Sequence, residues 1–267
     1  MLKDITLGQY FPGESVLHKL DPRTKLILTF VYVVALFAAV GPVTYSLMFV
    51  FLVASVLISE INLKTILRSV RPLIFIIAFT FILNIFFTRG EPLVQLWIIT
   101  ISREGLVTAA KMMARLVMLI VGTFLLTYTT SPIALTDGLE RLLNPLKKIR
   151  MPVHELAMMM SIALRFIPTL IEETDKIISA QKARGADFDS GNLVRRAKAL
   201  LPILVPLFIS AFRRAEELAV AMESRCYHGG EGRTRMKQLK LMRRDAMAFI
   251  IGAILTAVIF TLRSMGF

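Results

Sequence analysis

KLILTFVYVVALFAAVGPVTYSLMFVFLVASVLIS, residues 25–59, is apolar over nearly its whole length, and Gly41-Pro42 interrupts it. A Gly-Pro pair breaks a helix, because proline has no N–H to donate and disfavours the α conformation of the residue before it. The stretch therefore reads as two helices, Lys25–Val40 and Val43–Ser59, joined by a tight turn. Working outward, similar runs recur at Pro72–Phe87, Gly105–Thr129 and Ala246–Leu262. Each approaches the roughly 20 residues that a bilayer core requires. With 55% hydrophobic residues and a mean hydropathy of +0.66, the 267-residue chain is too apolar for an ordinary soluble domain. The expected fold is an all-α membrane protein with about five transmembrane helices and additional long cytoplasmic helices.

The charge distribution sets the expected orientation. Formal net charge is +13. Lys19, Arg23, Lys64, Arg68, Arg71 and most basic residues of 131–245 fall on one side of a five-span arrangement, leaving little beyond Arg89, Arg103 and Arg263 opposite. The positive-inside rule then places the N-terminus in the cytoplasm and the C-terminus outside, in a multi-pass protein of the cell membrane. Three parts follow: 1–130 with four spans, 131–245 as a cytoplasmic helical region, and 246–267 as the last span. The basic residues show no aromatic interleaving and no zinc-ligand spacing, so nucleic acid is not an expected partner. The first 24 residues carry charges and no apolar core, which argues against a cleaved signal peptide. The single Cys226 cannot form an internal disulfide.

The 131–245 segment reads as helical. Leu135, Leu139, Leu142, Leu143 and Leu146 recur at helical spacing, Pro152 opens a stretch running to about Lys182, and Asn192 suits the N-cap of another ending near Arg225. Residues 199–209 are very apolar but short for a span, carry Pro202 and Pro206, and are flanked by basic residues. A helix half-sunk at the membrane interface is expected there, the alternative being a sixth span over 199–212.

Several chemistries are missing. His154-Glu155 lacks the second histidine of a zinc-protease helix, since position 158 is Met158. No metal site and no bound cofactor are expected. No phosphate-cradling Gly-x-x-x-x-Gly-Lys-Ser/Thr loop occurs, so any ATP must be bound and hydrolysed by another subunit. No Asp or Glu lies inside the apolar runs, where ion-coupled carriers keep such groups. Lys111 and Arg115 are the intramembrane charges; snorkelling towards headgroups or bonding helix-end carbonyls is their simplest role, and lining a polar cavity or holding a partner subunit the functional alternative. Met158, Met159 and Met160 suit an adaptable docking surface. In the last run Ala248, Gly252 and Thr256 recur every four residues, which admits a close helix neighbour.

Two arginine-centred triplets, Ala183-Arg184-Gly185 and Ser224-Arg225-Cys226, each end a long amphipathic stretch. An arginine at a helix tip between small neighbours can enter a groove, where its planar fork of donors suits carboxylates and carbonyls. Gly185 can adopt the left-handed conformation that stops a helix. Cys226-Tyr227-His228 precedes Gly229, so the second end is less sharply marked.

Together these residues resemble the transmembrane T component of energy-coupling factor transporters. Four segments carry the resemblance: Ser15–Lys25, Thr129-Thr130-Ser131-Pro132, Ala163-Leu164-Arg165-Phe166-Ile167-Pro168, and Ala180-Gln181-Lys182-Ala183-Arg184-Gly185. It extends over essentially the whole chain. The resemblance implies that Arg184 and Arg225 seat in grooves on two ATP-binding-cassette ATPases, with Ser224 and Cys226 replacing the usual neighbours of the second arginine. It also implies a small membrane substrate-binding S component docking on the cytoplasmic helices, with Met158–Met160 as the expected contact. The expected activity is that of a non-catalytic scaffold coupling ATP use to uptake of vitamins or transition-metal ions, with Pro152, Pro168, Pro202 and Pro206 as hinges. Two rivals are a self-sufficient channel or carrier whose basic cytoplasmic region binds membrane lipids, and a membrane-embedded enzyme. No nucleophile, metal or acid pair at membrane depth favours the enzyme.

Overall fold

Asp21 starts the first helix by accepting the Arg23 amide at 2.9 Å, and Pro22 occupies a first-turn position where its missing N–H costs nothing. The computed structural model describes residues 10–88, 91–96, 99–186, 188, 192–229 and 238–265. These fall into two compact units, one from 8–138 with 239–267 and the other from 139–238.

In the first unit, α1 is Pro22–Ala38 and α2 is Pro42–Ser59, so the helices part at Gly41-Pro42 as expected. Asn62 caps the short α3, Leu63–Val70, and a 3-10 turn over Arg71–Leu73 leads into α4, Ile74–Phe87. Strands β1, Pro92–Leu96, and β2, Ile99–Ser102, pair antiparallel with Leu96 opposite Ile99. Then come α5, Arg103–Thr129, and, later in the chain, α9, Arg243–Ser264. The all-α class stands with this one hairpin added. It forms where Val94, Ile99, Thr100 and Ile101 supply β-branched residues, which suit extended backbone.

The bundle core is Tyr32, Leu36, Met48, Leu52, Met118, Val121, Leu125, Tyr128 and Ile259, drawn from α1, α2, α5 and α9. Close approach depends on small residues. A Cβ on Gly122 would lie 2.4 Å from the Tyr32 ring, and one on Gly252 2.6 Å from Leu28. Gly252 is thus where α9 meets α1, the role its four-residue pattern anticipated. Around this core the surface is apolar, with Phe30, Leu57, Phe75 and Phe87 at least 70% exposed. Such a surface is satisfied by lipid hydrocarbon rather than water.

Among the described residues, five stretches are long and apolar enough to cross a bilayer: α2, residues 63–87, α5, residues 153–183 of the second unit, and α9. The 17-residue α1 is one residue below that length and packs in the same bundle. Residues 199–212, the alternative sixth span, fall in a helix that does not meet this test among the described residues.

The division between units falls within α6, Pro132–Leu143. A 3-10 segment, Asn144–Ile149, and a left-handed Arg150 lead to α7, Val153–Ala183, followed by α8, Leu193–Glu223. Asn192 immediately precedes α8. The two long helices pack antiparallel: Glu173 of α7 accepts from Ser210 and, at 3.2 Å, from Arg214 Nε, while Gln181 Nε2 donates to the Pro202 carbonyl at 3.4 Å. Pro206 has no N–H to bond that carbonyl from within α8, so the inserted proline leaves an acceptor that α7 fills.

Candidate functional site

Both arginine triplets end their helices in the same backbone motif. At the α7 end, the Ala186 amide bonds Gln181 O at 3.0 Å and the Gly185 amide bonds Lys182 O at 2.9 Å. At the α8 end, the Tyr227 amide bonds Met222 O at 3.1 Å and the Cys226 amide bonds Glu223 O at 2.8 Å. Each pair is the Schellman arrangement, which satisfies the last helical carbonyls by turning one residue left-handed. That residue is Gly185, φ +86°, in the first and Cys226, φ +55°, in the second. The second end is therefore as sharply made as the first, although glycine is absent. A Cβ on Gly185 would meet nothing within 4 Å, so conformation alone explains the glycine.

This motif places Arg184 and Arg225 at identical cap positions, one residue before the left-handed turn. Both are exposed, and among the described residues neither guanidinium makes an ion pair or hydrogen bond. Because α7 and α8 run antiparallel, the two tips lie at opposite ends of the pair. The contacts of Glu173 and Gln181 put the α8 tip abreast of about residue 160 of α7. At 1.5 Å rise per residue the tips are then roughly 35–40 Å apart.

The Arg225 tip has a crevice beside it. Ile162, Arg165, Phe166, Leu218 and Met222 line a space of about 330 Å³ together with Arg225. Arg165 of α7 thus shares this crevice with Arg225, and no carboxylate is in the lining. Arg165 belongs to the Ala163–Pro168 segment, and its part in the site was not assigned from sequence, because its partner is 60 residues away in the chain.

A family model described as CbiQ, cobalt transport protein, matches residues 13–236. The chain belongs to this family. It is 57% identical over 254 residues to the energy-coupling factor transporter transmembrane protein EcfT of Thermosediminibacter oceani, covering 95% of this chain and 96% of that protein. The proteins of the same name in Clostridium kluyveri and Bacillus subtilis are 55% and 49% identical, over 97% and 99% of this chain and 96% and 100% of their own lengths. The chain is accordingly a multi-pass membrane protein of the energy-coupling factor transporter family.

In this CbiQ-family chain the Ser15–Lys25 and Thr129–Pro132 segments meet. Lys25 Nζ donates to Thr129 O at 2.8 Å, Thr130 Oγ1 at 3.2 Å and His18 O at 3.2 Å, which uses all three ammonium protons. Beside it, buried Asp245 accepts the Asp21 and Met242 amides, each at 2.8 Å, while Arg23 bonds Asp21 and Leu239 O. Asp245 was missed from sequence, since only folding carries it to Asp21. Arg115 donates to Ala39 O at 3.0 Å and lies over Phe37 and Tyr45, the helix-end role anticipated for it.

The methionine triplet is split. Met158 lines a crevice with Leu218, Met222 and Arg225, whereas Met159 and Met160 are 55% and 43% exposed. Consecutive helical residues point about 100° apart, so three in a row cannot form one face. Pro168 lies inside α7 and Pro202 and Pro206 inside α8, while Pro152 stands at the N-cap of α7. His154 Nδ1 pairs with Glu140 at 3.1 Å, and no group of three potential metal ligands occurs among the described residues.

Proposed function

We propose that this chain is the non-catalytic coupling scaffold of an energy-coupling factor importer in the cell membrane. Arg184 and Arg225 dock into two ATP-binding-cassette ATPase subunits, which bind and hydrolyse the ATP. Movement of those subunits passes through α7 and α8 to a small membrane S component that selects the substrate, a vitamin or a transition-metal ion. Residues 131–245 and the N-terminus lie in the cytoplasm, and the C-terminus outside. Pro168, Pro202 and Pro206 allow the long helices to bend, and Pro152 marks where α7 pivots. Met158–Met160 contribute to the S-component contact. The observation that carries the reading is the repeated tip: two unpaired arginines at the same cap position, held apart on one antiparallel helix pair. Two separated ATPase grooves require two such tips.

Affinity purification of the tagged chain from its native host in mild detergent tests this. Two ATPases and a small membrane protein should accompany it. Arg184→Ala and Arg225→Ala should each weaken ATPase recovery, by about 2–5 kcal/mol where the arginine meets a desolvated carboxylate, and the double variant most. Normal assembly and uptake in the double variant would refute the docking role.

A further inference from the structure

Residues 63–87 form a 25-residue apolar stretch, about 38 Å long at helical rise, against roughly 30 Å of hydrocarbon. The stretch thus exceeds the hydrocarbon, and its three cations favour the α3 end as the part at headgroup depth. Ile66, 4% exposed, roots α3 in the bundle. Lys64, Arg68 and Arg71 follow at i, i+4 and i+7, and Arg71 keeps helical backbone angles with its amide bonded to Leu67 O. At 100° per residue the three cations share an arc of about 60°. All three are exposed, and among the described residues none makes an ion pair or side-chain hydrogen bond. Glu60, the nearest acidic residue in the sequence, pairs with none of them. Along the flank of this stripe, Leu63 and Leu67 are 61% and 62% exposed.

We infer that Lys64, Arg68 and Arg71 form a binding site for the phosphodiester headgroup of an anionic phospholipid, whose acyl chains lie against Leu63 and Leu67. Three unpaired cations in one stripe supply charge complementarity for a phosphodiester, and guanidinium forks suit its paired oxygens. The adjoining leucines supply what a free phosphate could not use. The site is independent of the ATPase tips.

The full chain, purified in mild detergent, would be offered phosphatidylglycerol and phosphatidylcholine, and lipid retention read by native mass spectrometry. Phosphatidylglycerol should be held preferentially. Each of Lys64→Gln, Arg68→Gln and Arg71→Gln should weaken it roughly fivefold, and the triple variant roughly a hundredfold. Should the triple variant fail to insert, Arg68→Gln against Arg68→Lys suffices, with loss in the first and retention in the second. Equal retention of both lipids overturns the inference, as does a triple variant that inserts normally yet holds phosphatidylglycerol like the parent, which would assign the charges to orientation alone. Displacement of the lipid by inorganic phosphate also overturns it, since the leucine flank would then contribute nothing.

Discussion

Cys226 and Gly185 perform the same turn with different residues, and the difference is measurable. A non-glycine residue in the left-handed region costs on the order of 1 kcal/mol, because its Cβ crowds the following carbonyl. Cys226→Gly should therefore slow amide exchange at the α8 tip, with a gain of about 0.5–1 kcal/mol. Gly185→Ala should lose about 1 kcal/mol at the α7 tip, by strain alone, as no neighbour crowds the site. His18 is a second residue with a directional consequence. Burial, the main cause, lowers its pKa below the usual 6.5 despite the opposing hydrogen bond to Phe11 O. The folded state thus prefers neutral imidazole, with Nε2–H donating to Phe11 O and Nδ1 accepting from Ser15 at 2.7 Å. Its contribution is complete above the unfolded pKa and is lost as pH falls below about 6.5. Protection of the 11–18 amides, taken relative to the unstructured exchange rate at each pH, should fall on acidification, and His18→Gln should remove that pH dependence.

Among the elements, α7 and α8 are joined by an acceptor that proline creates. Gln181 reaches the Pro202 carbonyl because Pro206 cannot. Gln181→Ala should cost about 1 kcal/mol of thermal stability in the parent chain and clearly less in a Pro206→Ala background, where the α8 amide takes the carbonyl. Equal cost in both backgrounds would show that the bond does not depend on the proline. The helices themselves were legible from spacing alone, since apolar periodicity and Pro152 are local signals. The β1–β2 hairpin was not, because a loop rich in β-branched residues shows its pairing only when its ends are held by α4 and α5.

For the molecule as a whole, Asp245 ties the last helix to the first. Its carboxylate, 2% exposed, serves the amides of Asp21 and Met242, so Asp245→Ala leaves one buried and one half-buried donor unpaired. A loss of about 3 kcal/mol is expected, read as a fall in the thermal unfolding midpoint of the purified chain. Apolar run lengths and the Gly-Pro break determined the membrane class, most helix boundaries and the location of both arginine triplets, because those depend on neighbours within a few residues. Tertiary structure alone decided that α7 and α8 run antiparallel, with Arg184 and Arg225 at opposite ends, that Arg165 stands beside Arg225, and that Asp245 meets Asp21. Those relations rest on contacts between residues distant in the chain, formed only when apolar faces bury one another and stranded polar groups find partners.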